Sequence, residues 1–311
     1  MSYTCDGSVR RKSMRSVISV LVMMIAGSAS PALGQDTPSP IPPRDPTNAR
    51  GTALGGTRAV QIGTGAIAHN AAALGLTRSY QMEGYGLYDP ESTAVTLGSA
   101  IADSFSNRIG IGLGLGYAYT FTDEDHGDVT GHDLRVAFAL PLGSTAAIGL
   151  TGRYLTVDAR MSQGGEPPAE VELVDALTLD ASFALRLGQR VWLSAIGENL
   201  TDTGSAWAPL RLGAAAGILP IDILSLSVDV AFDLTTYDGP RGRYLGSAEL
   251  LAASRFPLRV GYGYDDGRGV HTVSGGVGYV DQKFGLDLSL RQDVSGESDT
   301  LIAAGFRIFI R

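Results

Sequence analysis

The sequence predicts an all-β chain: a transmembrane, antiparallel, up-and-down β-barrel of about fourteen strands with a small N-terminal plug segment. Three observations carry that prediction. Apolar residues alternate with small or polar ones in segment after segment from Arg78 onward. The non-apolar face of these segments holds charges of both signs. Long polar connectors and tight turns alternate along the chain.

Composition narrows the field in the same direction. Of 311 residues, 41 are Gly, nearly twice the ~7% of ordinary proteins, and charged residues are 18% against roughly 25%. Apart from one short run near the N-terminus, no apolar stretch approaches the ~20 residues of a spanning helix. A single Cys excludes a disulfide scaffold. With 24 basic and 32 acidic residues, net charge −8, nucleic acid is not a fitting partner.

Residues 1–34 read as a signal peptide. Arg10, Arg11, Lys12 and Arg15 precede an apolar stretch from Val17 to Ala26, and Ala32 and Gly34 place cleavage after Gly34. Met14, bracketed by the same basic run, is an alternative start. Cys5 lies upstream of the apolar stretch, so the processed chain carries no thiol. Residues 35–50 form a Pro-rich periplasmic leader with Pro38, Pro40, Pro42, Pro43 and Pro46, which suits an extended polyproline-like spacer. A periplasmic partner bound through 35–50 is the alternative use of that leader. Residues 51–77 are rich in Gly and Ala and lack clean strand alternation. Gly51, Gly55, Gly56, Gly63 and Gly65 argue against a helix stable by itself, so the segment is assigned to the lumen as a plug.

Residues 78–311 are assigned to an outer-membrane barrel. In the clearest segment Ile109, Ile111, Leu113, Leu115, Tyr117, Tyr119 and Phe121 share one face, and the other carries only Gly, Ala and Thr. Successive strand side chains point to opposite faces, so each segment has one greasy and one small or polar face. Asp133, Arg135, Arg153, Asp180, Arg186, Arg211, Asp229, Asp233, Glu249, Arg259 and Arg291 occupy the polar face. A soluble core would not accept them, which places lipid outside and a polar lumen inside. Tyr80, Tyr88, Tyr154, Tyr244, Tyr262, Tyr264 and Tyr279 sit near segment ends, as an interfacial aromatic girdle requires.

The expected strands are 78–88, 92–102, 108–121, 131–140, 144–157, 172–186, 190–198, 208–218, 221–235, 243–253, 256–265, 269–280, 283–291 and 299–311. With both termini periplasmic, the extracellular connectors include 122–130, 158–171, 199–207, 236–242 and 292–298, and the periplasmic ones are mostly tight turns. An even strand number closes the sheet and leaves no edge in lipid.

Conventional chemistry finds little support. Asp123, Asp125 and Asp128, with His126 and His132 nearby, lack the spacing of a calcium loop and read as a solvated acidic loop. His271 and Ser274 are three apart on a strand, hence on opposite faces, so they make no nucleophile–base pair. No catalytic, metal or cofactor motif is recognised, and the chain reads as a non-enzyme.

The segments just described carry a resemblance. Leu54, Gly55 and Gly56 match a Leu-Gly-x-Gly-Gly-Ala start, and Asn70, Ala72 and Leu74 match an Asn-Pro-Ala-Gly-Leu motif, with Ala71 where Pro is usual and Ala73 where Gly is common. Glu198-Asn199-Leu200, Pro209-Leu210-Arg211-Leu212-Gly213 and Leu258-Arg259-Val260-Gly261-Tyr262 match strand motifs further on. Across 51–311 the chain resembles the long-chain fatty-acid transporter-like barrels and their relatives in secretion and surface-protein systems. The resemblance implies fourteen strands and transport of hydrophobic or amphipathic small molecules across the outer membrane. The alternative it leaves open is a non-transporting structural or partner-docking barrel. Asn70 in the plug and Arg135, Arg153, Arg211, Arg259 and Glu249 on the lumen face are the candidate site residues. The expected surroundings are outer-membrane lipid and a hydrophobic small-molecule cargo.

Overall fold

The computed structural model describes residues 48–59, 61–122, 129–161, 169–296 and 299–310, all within one compact unit, Pro42–Arg311. The signal peptide with its cleavage site, Met14, nearly all of the leader, and the acidic-loop residues Asp123, Asp125, His126 and Asp128 lie outside the described residues.

Three short helices come first: α1 (Ala49–Ala53), α2 (Thr64–His69) and α3 (Ala72–Leu76). Fourteen strands follow: β1 (Tyr80–Tyr88), β2 (Val95–Asp103), β3 (Gly112–Phe121), β4 (Val129–Leu142), β5 (Ala146–Met161), β6 (Ala169–Leu187), β7 (Val191–Glu198), β8 (Arg211–Ile221), β9 (Leu224–Asp233), β10 (Arg241–Ala252), β11 (Phe256–Asp265), β12 (Val270–Val280), β13 (Phe284–Asp293) and β14 (Thr300–Ile310). Each strand pairs antiparallel with its sequence neighbours. β1 pairs with β14, from Tyr80 opposite Ile310 to Tyr88 opposite Ile302, and the barrel closes. Every ladder therefore finds a partner within the sheet, the condition for a strand structure in hydrocarbon.

The alternation read from sequence is the inside–outside alternation of this barrel. Leu115, Val136, Leu150, Val260, Leu288 and Phe306 are all exposed on the outer surface, far more apolar surface than a soluble protein presents. Asp133, Arg135, Arg153, Asp229, Arg259 and Asp287 are buried inside. Aromatic clusters mark both rims. Phe256, Tyr279 and Phe284 pack at the end where β10–β11 and β12–β13 turn. At the opposite end His132 packs against Tyr117 and Tyr119, and His271 against Tyr262 and Tyr264.

Connector lengths segregate by end. Turns 143–145, 188–190, 222–223, 253–255 and 281–283 occupy one end, and the long 199–210 connector lies at the other. Besides the short 266–269 at that other end, the exception is 104–111, a longer connector at the turn end. It replaces the first residues of the predicted strand 108–121. There Asn107 brackets Ile111, its Oδ1 accepting the Ile111 N–H at 2.8 Å and its Nδ2 donating to the Ile111 carbonyl at 2.7 Å. Gly110 turns the chain with φ +80°. Ile109 thus keeps its parity with the strand but not its ladder, because the side chain of Asn107 competes for the backbone.

Other boundaries move for equally local reasons. β9 ends at Asp233 rather than 235, since the Asp233 carboxylate accepts the N–H groups of Thr235 (3.1 Å) and Thr236 (2.9 Å) and starts a turn. β5 and β6 run longer than expected, and their register shifts between Val157 and Asp158, where one extra residue bends the hairpin.

Candidate functional site: the plugged lumen

α1 to α3 lie inside the barrel. At five or six residues each, they are shorter than helices that persist alone in water, so the wall must hold them. Asn48 caps α1 through Oδ1, which accepts the Gly51 N–H at 2.7 Å, and its Nδ2 donates to Glu83 in β1 at 2.9 Å. The inner segment therefore begins at Asn48, ahead of the 51–77 limits read from sequence, and Arg50 is part of it. Ile67 and Leu74 pack with Ala102, Ala137 and Ala139 of the wall.

Small wall residues make room for this. A Cβ at Gly149 would collide with the backbone of Ala71 and Ala72, and one at Gly261 would stand 2.6 Å from the Gly55 nitrogen. Gly149 and Gly261 are thus seats of the plug. Ala71, in the position where the resembled motif has Pro, has φ −55° and ψ −32°, a φ that proline also adopts.

Three ionic networks tie plug to wall. In the first, Arg50 of α1 donates from Nε and Nη2 to Glu249, both at 3.1 Å. Glu249 also receives Arg259. Arg259 then reaches Asp287 at 2.5 Å, and Asp287 accepts Arg307 at 2.7 Å. In the second, the backbone N–H of Arg58 donates to Asp229 at 2.5 Å and its Nη1 to Glu198 at 2.9 Å. Arg211 lies 3.8 Å from Glu198 and 3.7 Å from Asp233. The third is centred on Asp133, which accepts Arg135 at 2.9 and 3.0 Å and Arg153 at 2.7 and 3.0 Å. Arg135 completes the tie by donating to the Ala68 carbonyl at 2.9 Å. Charges buried this way are tolerated because each is paired and hydrogen-bonded.

Five of the six candidate residues face the lumen, in different networks, and Asn70 lies in the plug. Glu249 and Arg259 belong to the first, Arg211 to the second, Arg135 and Arg153 to the third. Asn70, the residue after α2, is fully enclosed and donates to Ser194 Oγ at 2.9 Å and the Arg58 carbonyl at 3.4 Å. Sequence reasoning missed Arg50, Arg58, Glu83, Glu198, Asp287 and Arg307. Glu83, Asp287 and Arg307 had a usable signal: each lies on the polar parity of its strand. His271 and Ser274 do lie apart: His271 contacts Tyr262 Oη at 2.6 Å at the rim, and Ser274 donates to the Ala53 carbonyl at 3.0 Å inside.

Two small cavities remain beside α2. One, of about 40 Å³, is lined by residues including His69, Glu83, Tyr85, Asp133 and Arg135. The other, of about 10 Å³, is lined by residues including Asn70, Thr151, Asp180 and Glu198. A water needs roughly 10–15 Å³, so the first has room for a few waters and the second for about one.

Fold and lumen together define a transmembrane β-barrel plugged by its own N-terminal segment. The chain is similar in structure to the Ralstonia pickettii toluene transporter TbuX (11% identity, 86% of this chain and 99% of that one covered, TM-score 0.63). It is likewise similar to the Pseudomonas putida toluene transporter TodX (12%, 86% and 98%, TM-score 0.60) and to a Pseudomonas aeruginosa FadL homologue (11%, 85% and 97%, TM-score 0.56). The fold implied by the resemblance over 51–311 is the fold found. No protein-family model and no curated protein matches the sequence.

Proposed function

We propose that the protein is an outer-membrane transporter that passes hydrophobic or amphipathic small molecules through a plugged barrel, and that it is not an enzyme. The observation that carries this reading is the filling of the lumen by residues 48–77, on a fold shared with toluene transporters. A plug excludes free diffusion of ions and sugars while leaving a route for molecules that can displace small segments of chain. The apolar exterior and aromatic rims support residence in a bilayer, with the tight turns periplasmic and the long connectors extracellular. Asn70, Arg135, Arg153, Arg211, Arg259 and Glu249 then act as plug and lumen residues. The Pro-rich leader serves as a periplasmic spacer.

The test is uptake of labelled toluene and a labelled fatty acid by cells carrying the barrel with residues 51–76 intact or deleted. Uptake by the intact form above that of vector-only cells supports transport. Uptake by neither form supports a structural or partner-docking barrel instead. Protease added to intact cells should cut within 158–171 and spare 141–143; the reverse pattern would overturn the orientation.

A further inference from the structure

Among the described residues, five clusters of buried apolar side chains line the inside of the barrel. Four of them join the plug to the wall, through Ile67 and Leu74, Ala49, Ala72 and Leu76, and Ala59. The fifth contains no plug residue. In it Leu155 and Val157 of β5 and Val174 and Ala176 of β6 pack with Ala208 of the 199–210 connector, and the half-buried Trp207 lies against them. These wall residues share the inward parity of the buried Arg153 and Thr178. The connector thus does for this part of the wall what the plug does elsewhere.

Asn199, the residue after β7, holds the connector there. It is buried and has φ +51°, a left-handed backbone that Asn adopts more readily than most residues. Its Nδ2 donates to the Pro209 carbonyl at 2.9 Å and so joins the two ends of the connector. Its Oδ1 accepts Thr178 Oγ1 at 3.0 Å and Arg153 Nη1 at 3.4 Å. Its N–H donates to Asp180 at 2.7 Å. Between these ends residues 201–204 are exposed, and the chain then turns inward, the Ala208 N–H donating to the Ser205 carbonyl at 3.1 Å. One side chain therefore sets both where the connector leaves the wall and where it returns.

Leu155, Val157 and Val174 without a cover would form an apolar patch facing water inside an otherwise charged lumen. Trp207 and Ala208 remove that cost by burial. The contact is non-directional and uses no hydrogen bond, so an apolar molecule can replace it like for like. An ion or a sugar cannot, because either would lose its hydration against a surface that returns nothing.

We propose that the 199–210 connector is a second plug element, that Asn199 is the positioning residue that keys it, and that apolar cargo passes by taking the place of Trp207 and Ala208 against β5 and β6. This rests on the transport reading and names the contact with which cargo competes. The N-terminal plug and the connector then close different parts of one lumen, the first latched by ion pairs and the second by a single buried amide.

Two variants test the proposal. Asn199→Gly keeps the left-handed backbone and removes the side chain. In the purified barrel its amides at 200–208 are expected to exchange at least about ten-fold faster, with those of α1 to α3 as in wild type. Unchanged exchange at 200–208 overturns the role of Asn199, and so does equal acceleration in the plug, which would mean general loosening. Ala176→Cys with Ala208→Cys ties the connector to the wall; Cys5, the one native thiol, lies in the segment read as a signal peptide. Uptake of labelled toluene, with that of vector-only cells subtracted, is expected to fall at least about five-fold when diamide closes the disulfide and to return with dithiothreitol. Wild type given diamide is the control. Undiminished uptake with the disulfide closed overturns the proposal and leaves transport standing. If the pair does not close, uptake by Asn199→Gly decides: at least about two-fold above wild type supports the proposal, and uptake equal to wild type overturns it. No uptake by wild type overturns the transport reading and the cargo step with it, while exchange still decides whether Asn199 keys the connector.

Discussion

Arg50 and Glu249 meet across 199 residues of sequence in a two-pronged ion pair, Nε to Oε2 and Nη2 to Oε1, each at 3.1 Å. The pair joins the first helix of the plug to the middle of β10, and Arg259 grips the same carboxylate from β11. The plug is therefore latched by charge to the wall, not only wedged by shape.

Removing the two ends of this latch has unequal consequences. Glu249→Gln removes the carboxylate that Arg50 and Arg259 share, Arg259 keeping only Asp287, and a broken buried pair costs about 3–5 kcal/mol. Arg50→Gln leaves Glu249 still paired with Arg259, and a lost charged hydrogen bond costs about 1.5–3 kcal/mol. Urea unfolding in lipid vesicles should rank the variants in that order. Equal losses would mean that Arg259 does not hold Glu249.

Gly149 seats α3. Gly149→Ala drives a methyl into the backbone of Ala71 and Ala72, whereas Gly152→Ala, three residues along the same strand, has nothing within 4 Å to meet. Amide exchange of Ala72–Leu76 is expected to accelerate at least ten-fold in the first variant and stay unchanged in the second. Identical exchange in both would show that the plug does not rest on β5 there.

The β10–β11 turn carries avoidable strain. Ala253 and Ser254 have φ of +48° and +57°, and the Arg255 N–H closes the turn on the Ala252 carbonyl at 3.1 Å. This is a primed hairpin turn, for which Asn-Gly is the favoured pair. A left-handed residue other than Gly or Asn costs about 1–2 kcal/mol. The double substitution Ala253→Asn, Ser254→Gly should raise stability by about 1–2 kcal/mol in the same urea assay, with uptake unaltered. A loss of stability would contradict the turn geometry.

Asp281, in the β12–β13 turn, accepts the N–H groups of Phe284 (2.8 Å) and Lys283 (2.7 Å), and these bonds hold its carboxyl below the usual carboxylate range. A group whose folded pKa is depressed contributes stability above its unfolded pKa of ~3.9 and loses it as pH falls through the folded value. Protection of the Lys283 and Phe284 amides should therefore hold at pH 5–7 and fade below about pH 4. In Asp281→Asn the fading should vanish. A pH response retained in that variant would assign it to another group.

The strands were legible because their signal is local. Whether Leu288 points out and Asp287 in depends on the pleat of one strand, and the parity of each segment can be read without its neighbours. The same holds for the turns, where Gly143 and Gly188 adopt positive φ. It fails where a side chain takes the backbone for itself, as Asn107 and Asp233 do, because apolar spacing carries no trace of that competition. The lumen face was legible as a set: Arg135, Arg153, Arg211, Arg259 and Glu249 point inward, and Asn70 meets the wall from the plug. Arg50 was not, since its place at the end of a proline-rich stretch says nothing of a carboxylate 199 residues away.

The sequence by itself thus determined a fourteen-stranded barrel with an apolar outside, a charged inside and a small-residue segment to fill it. Tertiary structure alone decided which charge meets which: Arg50 with Glu249, Arg58 with Asp229 and Glu198, Arg135 and Arg153 with Asp133. Facing direction is a property of one residue and its strand, whereas pairing depends on the register of every intervening ladder and on the path of the plug through the closed barrel.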